Sequence, residues 1–288
     1  MIITRLIGGL GNQMFQYAAG RALALANSCQ LKLDISTFDY YALRRYELNL
    51  LNINAEIANP EDIALLAGSQ FRLARVVRRK LKWRKKTHFV ERKDFSFDPV
   101  FLSLTQPAYL DGYWQSYKYH ECYAVQIRDE LTFNTPLSGK NLKVAEQIVR
   151  TNSVSVHIRR GDYVSNPGTA RIHGSVGVNY YDDAIRRICH EVTAPVFFVF
   201  SDDLTWAQNN LRLRNNATFV SHNCGKSSFE DMRLMSLCKH NIIANSSFSW
   251  WGAWLNRNPE KMVIAPKRWL NIESLSTTDL IPNTWTRC

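Results

Sequence analysis

Between residues 154 and 264 the chain settles into a rhythm that few architectures accommodate. Short apolar runs at 154–158, 196–200, 217–220, 241–244 and 262–264 alternate with stretches of helical periodicity around 180–190, 204–211, 228–239 and 249–255. The runs are short and, for the most part, rich in Val, Ile and Phe, so they read as buried strands. Strands that alternate with helices pair side by side in a parallel sheet, with helices on both faces. The pattern predicts a doubly wound α/β domain over residues 151–288.

Such a sheet gathers ligands at the carboxyl ends of its strands. Here those ends read His157-Ile158-Arg159-Arg160-Gly161-Asp162-Tyr163, Ser201-Asp202-Asp203, Ser221-His222-Asn223 and Asn245-Ser246-Ser247-Phe248-Ser249. Each alone has a bland explanation. Ser, Asp and Asn are the preferred helix caps, and an exposed Arg pair is often only a solvated strand end. Four clusters on one rim, two of them cationic or rich in donors, point instead to an anionic ligand. The arginine fork of Arg159 or Arg160 suits phosphate oxygens, and Asn245, Ser246 and Ser247 precede a helix whose N-terminus attracts anions. Asp202 or Asp203 suits the N1–H and amine of guanine, the other acid capping the helix that starts near Leu204.

The N-terminal half, residues 1–150, opens as strand, turn and helix. An apolar run at 2–7 leads into Gly8-Gly9-Leu10-Gly11, an alanine-rich helix over 12–27 and a second strand at 31–34. The layout is that of a dinucleotide-binding unit, but Met14 stands where the third glycine belongs, which disfavours NAD or FAD. Gly9 and Gly11 still leave backbone N–H groups approachable at a helix N-terminus, next to Asn12 and Gln13. A later strand at 108–111 ends in Gly112-Tyr113-Trp114-Gln115. Aromatics there are commonly core or interface; with Asp111 and Gln115 they also suit stacking and hydrogen bonding to a sugar. Tyr113, Trp114 and Gln115 are therefore candidate acceptor contacts.

With 288 residues, 45% of them hydrophobic, the chain can bury two cores of ordinary size. No apolar run reaches the roughly 18 residues of a membrane span, and the N-terminus lacks a signal-peptide layout. The six cysteines (29, 122, 189, 224, 238 and 288) show no paired spacing, so a soluble cytoplasmic protein is expected. Nine cations and no acid lie within residues 71–86, against a net charge of +11 for the whole chain. Leu73, Val77 and Leu81 recur there at four-residue spacing, the mark of a basic amphipathic helix. It is either a solvated face or a surface for anionic membrane; nucleic acid is disfavoured, since no nucleic-acid module accompanies it. Asp-x-Asp, P-loop, His-Glu-x-x-His and Gly-x-Ser-x-Gly motifs are all missing from the sequence. No metal or other cofactor is expected: charge on a diphosphate leaving group would be met by Arg and backbone donors.

Taken together, these residues resemble a known family. The stretch from Gly8 through Gln13-Met14-Phe15-Gln16-Tyr17, the His157–Tyr163 block, Ser201-Asp202-Asp203 with Trp206, and Asn245-Ser246-Ser247-Phe248-Ser249-Trp250-Trp251 are similar to the alpha-1,2-fucosyltransferases, as is the Gly112-Tyr113-Trp114-Gln115 stretch. The resemblance implies a GT-B type protein, two Rossmann-like domains with a cleft between them, holding GDP-fucose in residues 151–288 and the acceptor in residues 1–150. It implies metal-independent, inverting transfer of L-fucose to the 2-hydroxyl of a galactose in a glycan such as an O-antigen unit. In that picture Arg159 holds the diphosphate, His157, Ser246 and Ser247 assist, Asp202 or Asp203 binds guanine, and Asp162 is the candidate base. Two alternatives stay open: transfer to another acceptor hydroxyl, and a non-catalytic GDP-sugar-binding protein docked on a membrane. Docking near a lipid-linked acceptor is the role the basic segment would have.

Overall fold

The computed structural model describes residues 1–40, 43–68, 84–92, 95–213, 216–272 and 275–288, with the Asp162 side chain outside that description. The chain divides into two compact units, Met1–Asn134 with Thr278–Leu280, and Thr135–Thr277 with Ile281–Cys288. Both are parallel α/β units of the Rossmann-like kind, as the alternation predicts for residues 151–288 and as the GT-B resemblance implies for both halves.

In the first unit the strands are β1 (Ile2–Arg5), β2 (Leu31–Asp34), β3 (Glu56–Ile57), β4 (His88–Val90) and β5 (Ala108–Asp111), ordered β3-β2-β1-β5-β4. Helix α1 (Leu10–Ala26) follows β1 directly and is buried along most of its length by its small alanines. Helix α2 (Pro60–Ala67) covers the other face, its Ile63, Leu66 and Ala67 packing on Ile3 and Tyr109. Its start follows from sequence: Asn59 accepts from the Asp62 N–H at 2.7 Å and proline fills the first turn, a cap worth about 1 kcal/mol. Helix α3 (Ala124–Glu130) is tied to α1 by the Arg21–Glu130 ion pair at 2.7 Å. The return segment Thr278–Leu280 belongs here because Asp279 accepts from Lys118 Nζ at 2.6 Å, Ser116 Oγ at 2.7 Å and the Phe97 N–H at 3.0 Å.

The second unit begins with helix α4 (Gly139–Arg150) and strand β6 (Asn152–Ile158). A boundary at residue 150 would assign α4 to the N-terminal half. The helix instead packs on β6 and on a later helix of the second sheet, because Ala145 and Ile148 are its only buried apolar side chains and face that way. Beyond β6 come α5 (Gly161–Ser165), α6 (Pro167–Ile172), α7 (Val178–Glu191), β7 (Pro195–Ser201), α8 (Leu204–Asn210), β8 (Ala217–Val220), α9 (Phe229–Leu237), β9 (His240–Ile242), α10 (Ser247–Leu255), β10 (Val263–Ala265) and β11 (Thr286–Arg287). The order is β11-β10-β9-β6-β7-β8, parallel throughout. Its core joins Val154, Val156 and Ile158 of β6 to Tyr181, Ile185 and Ile188 of α7. The register pairs Ile158 with Ser201, so the ends of β6 and β7 lie level on one rim.

The basic helix expected at residues 71–86 falls almost entirely outside the described residues. Of its cations, Arg84, Lys85 and Lys86 are described; the Lys85 Nζ donates to the carbonyls of Ala64 and Leu65 at 3.1 and 2.6 Å, closing the C-terminal turn of α2. Among the described residues no helix is long and apolar enough to cross a membrane.

Candidate active site

The carboxyl rim of the second sheet brings Arg159, Arg160, Asp202 and Asp203 together. Arg159 Nη1 lies 2.9 Å from Asp202 Oδ2, while Asp202 Oδ1 accepts the Arg160 backbone N–H at 2.8 Å. The Arg159 guanidinium also stands 5.5 Å from the Tyr163 ring centroid, four residues on. Arg160 turns the other way. Its guanidinium lies 4.3 Å from the Trp206 ring centroid, and its Nε is 3.4 Å from Asp203 Oδ2. A side chain on Gly161 would begin 2.7 Å from Asp202 Oδ2 and would push that carboxylate aside.

Asp203 caps α8 by accepting the Trp206 N–H at 3.0 Å, the capping role foreseen for one of the two acids. Both carboxylates, one of which the sequence reading assigns to guanine, are thus engaged by the two arginines. The reason is local: an acid pair ending one strand sits level with an arginine pair ending its neighbour.

His157 is buried at the end of β6, 5.7 Å from the Phe248 ring. Burial pushes its imidazole down to about 4, with Asp202 opposing and Arg159 adding to the shift. It is therefore neutral near pH 7. Its Nδ1 has no hydrogen-bond partner among the described residues.

Helix α10 presents its N-terminus on the same rim. Ser246 accepts the Phe248 N–H at 3.3 Å, and Ser247 begins the helix. Trp250, Trp251 and Trp254 bury the body of the helix and fix it in place. Two members of this cluster serve the scaffold instead. The Asn245 amide nitrogen donates to the carbonyls of His173, Gly174 and Trp269, each at 3.0 Å, so its N–H groups are not turned to a ligand. Ser249 is fully buried, its hydroxyl within 3.2 Å of the Ala244 and Ser246 carbonyls. The β8 end is likewise occupied internally. His222 and Asn223 bond Asn141 of α4 at 2.7 and 2.9 Å, and Asn223 donates to Asp231 of α9 at 2.8 Å.

In the first unit, Gly8 takes φ +86°, the left-handed turn that glycine permits, and Gly9 caps α1 without a side chain, with Gly11 in the first turn. Gln13, expected at the ligand, is fully buried. It donates to Gly8 O and Arg45 O at 2.9 and 2.8 Å and accepts from the Glu47 N–H at 2.9 Å. A long amide at a helix start can reach back to strap a loop, and here it pins residues 45–47 over the turn. Asn12 accepts from Gln115 Nε2 at 2.8 Å, so Gln115 is a strut rather than an open sugar contact.

Trp114 also departs from expectation. It is 3% exposed and packs against Phe101 and Tyr119, leaving no face for a sugar. The turn that points it inward has Trp114 at φ +55°, with Glu91 accepting the N–H groups of Tyr113 and Trp114 at 2.6 and 3.0 Å. Of the three acceptor candidates, Tyr113 alone is exposed. Two residues that no motif marks also lie here: Glu91, 22 residues before Tyr113, and Arg44, whose Nε lies 3.6 Å from where a side chain on Gly9 would begin. Tyr163 and Trp206 were within reach of sequence reasoning, as aromatics one helical turn beyond an arginine and an acid of the rim. Among the described residues no group of three or more His, Cys, Asp or Glu could hold a metal ion.

A family description, Glycosyl transferase family 11, matches residues 1–287. The chain belongs to glycosyl transferase family 11. This family 11 chain is 37% identical over 294 residues to an alpha-1,2-colitosyltransferase of Escherichia coli, covering 100% of the chain and 98% of that protein. It is 35% identical over 297 residues to the O-antigen biosynthesis glycosyltransferase WbnK of Escherichia coli, covering 95% and 97%. The galactoside alpha-(1,2)-fucosyltransferase 1 of Ateles belzebuth is 29% identical over 259 residues, covering 86% of the chain and 63% of that protein. In fold the family 11 chain is similar to the NodZ alpha-1,6-fucosyltransferase soaked with GDP-fucose, at TM-score 0.53 and 14% identity over 88% of this chain and 91% of that one.

Proposed function

We propose that this glycosyltransferase moves L-fucose from GDP-β-L-fucose to the 2-hydroxyl of a galactose in a glycan acceptor, an O-antigen unit, with inversion. The observation that carries the reading is the Arg159 guanidinium on the carboxyl rim of the second sheet, the rim that also holds buried, neutral His157 and the N-terminus of α10. A diphosphate there would meet one fixed cation and oriented donors, the arrangement that stabilises a leaving anion. Ser246 and Ser247 belong to that donor set. The acceptor 2-oxygen attacks C1 of the fucosyl group from the face opposite the diphosphate, through an oxocarbenium-like state. The C1–O bond breaks with its electron pair going to GDP, and the hydroxyl proton passes to a base, for which sequence offers Asp162. No metal is required in this scheme.

The alpha-1,2 linkage in the names of two relatives supports the position of transfer. One relative, 37% identical, favours a second reading in which the donated sugar is colitose. The two donors can be told apart by a site that bonds the hydroxyl one sugar has and the other lacks, which discriminates strongly. Incubating the protein with GDP-fucose and a panel of galactosides, with release of GDP as readout, tests the proposal. Release that depends on a galactoside supports it; no release with any member removes fucose as the donor.

The acceptor is in this account lipid-linked, and the cations of residues 71–86 bring the protein to an anionic membrane surface. Each contributes about 1 kcal/mol near such a surface. Sedimentation with anionic vesicles at low salt, absent when Arg78, Arg79, Lys80 and Lys82 become Gln, is the expected result.

A further inference from the structure

We infer that Asp202 is a positioning residue for Arg159 rather than the reader of the nucleotide base, a step that rests on the diphosphate reading above. One carboxylate makes two contacts that set the geometry of the arginine pair. Oδ2 fixes the Arg159 guanidinium at 2.9 Å, and Oδ1 fixes the Arg160 backbone N–H at 2.8 Å. The second contact sets the direction in which the chain leaves β6, and with it the direction of Arg159. Arg160 is turned away by its own separate set, the Trp206 ring at 4.3 Å and Asp203 at 3.4 Å. The two neighbouring arginines therefore have different roles. Arg159 is the diphosphate ligand, held by Asp202, whereas Arg160 braces the strand end against α8.

Gly161 is part of the same device. A methyl group there would begin 2.7 Å from Asp202 Oδ2, so alanine displaces the carboxylate without removing it. An arginine already paired with a carboxylate keeps its remaining N–H edge in a fixed plane, and misplacing such a group by about 1 Å costs about a hundredfold.

The test measures binding of GDP, ADP and inorganic diphosphate, together with turnover, for the parent protein and for D202N, D202E and G161A. Positioning predicts that D202N and G161A weaken all three ligands by one common factor and lower kcat about tenfold to a hundredfold. The GDP-to-ADP preference is expected to stay at the parent value, and D202E to recover part of the turnover. Because both changes act through one ion pair, the double variant should be little worse than either single. Loss of GDP binding alone, with ADP and diphosphate unchanged, would make Asp202 the base reader and overturn the inference. Unchanged binding and turnover in both D202N and G161A would overturn it too. Should D202N fail to fold, G161A carries the test, since it keeps the carboxylate. A parent protein that binds none of the three ligands would overturn the diphosphate reading itself, an outcome recognisable without any variant.

Discussion

The Trp114 indole stands perpendicular to the Tyr119 ring, with centroids 5.5 Å apart, sealed beneath the turn that follows β5. Phe101 closes the cluster, 5.2 Å from Trp114 and 4.7 Å from Tyr119. The aromatic stretch after β5 is therefore a structural plug, and the loop's shape depends on it.

W114A should accordingly lower stability by about 3–5 kcal/mol, the usual range for emptying a buried aromatic site. W114F should cost less and leave turnover of the folded protein within a few fold of the parent. Denaturant titration alongside acceptor KM measures both effects. A large rise in acceptor KM with unchanged stability would return Trp114 to the role of a sugar platform.

R159K tests the phosphate role. Lysine keeps the charge but loses the planar fork, so kcat should fall by about a hundredfold to a thousandfold, as for loss of one donor to a developing anion. Steady-state kinetics with a saturating galactoside would show it. Transfer within a few fold of the parent rate would contradict the assignment.

Transfer should also persist in excess EDTA, because Arg159 and the donors around α10 face the leaving diphosphate without a metal in this account. The check is GDP release before and after chelation. Loss of activity that manganese restores would count against the scheme.

Asp231 gives a pH dependence of definite sign. Burial, with Glu230 adding to it, pushes its carboxyl up to about 7, against the Asn223 hydrogen bond. Between about pH 4 and pH 7 the folded state then binds more protons than the unfolded state, so this group removes stability as pH rises. D231N lacks the titration and can still accept from Asn223. The Tm of D231N relative to the parent should climb from about pH 4 to pH 7 and level off above. A difference that stays flat across that window would show that Asp231 titrates normally.

How much of this was legible in the sequence depends on how local the cause was. Strands 217–220, 31–34 and 108–111 come out with the bounds that periodicity predicts, because their apolar runs are flanked by turn residues. The rim was legible for the same reason: a parallel sheet places its strand ends in register. What side chains do at those ends was harder to read. Gln13, Asn245 and Ser249 have donor-rich chemistry that suits a ligand, yet their partners are backbone carbonyls and N–H groups, one of them as far off as Trp269. Sequence alone does not reveal those partners. The strand at His88–Val90 is too short to show a period, and the apolar stripe of α4 is too narrow to mark that helix in the sequence.

The transferred sugar, its linkage and its configuration are all read from the product. Incubation with GDP-β-L-fucose and a β-galactoside, followed by NMR of the purified glycan, gives both the linkage and the anomeric configuration. Inverting transfer predicts fucose in α configuration on the galactose 2-oxygen. Fucose in β configuration, fucose on another hydroxyl, or transfer only from a colitosyl donor would contradict it.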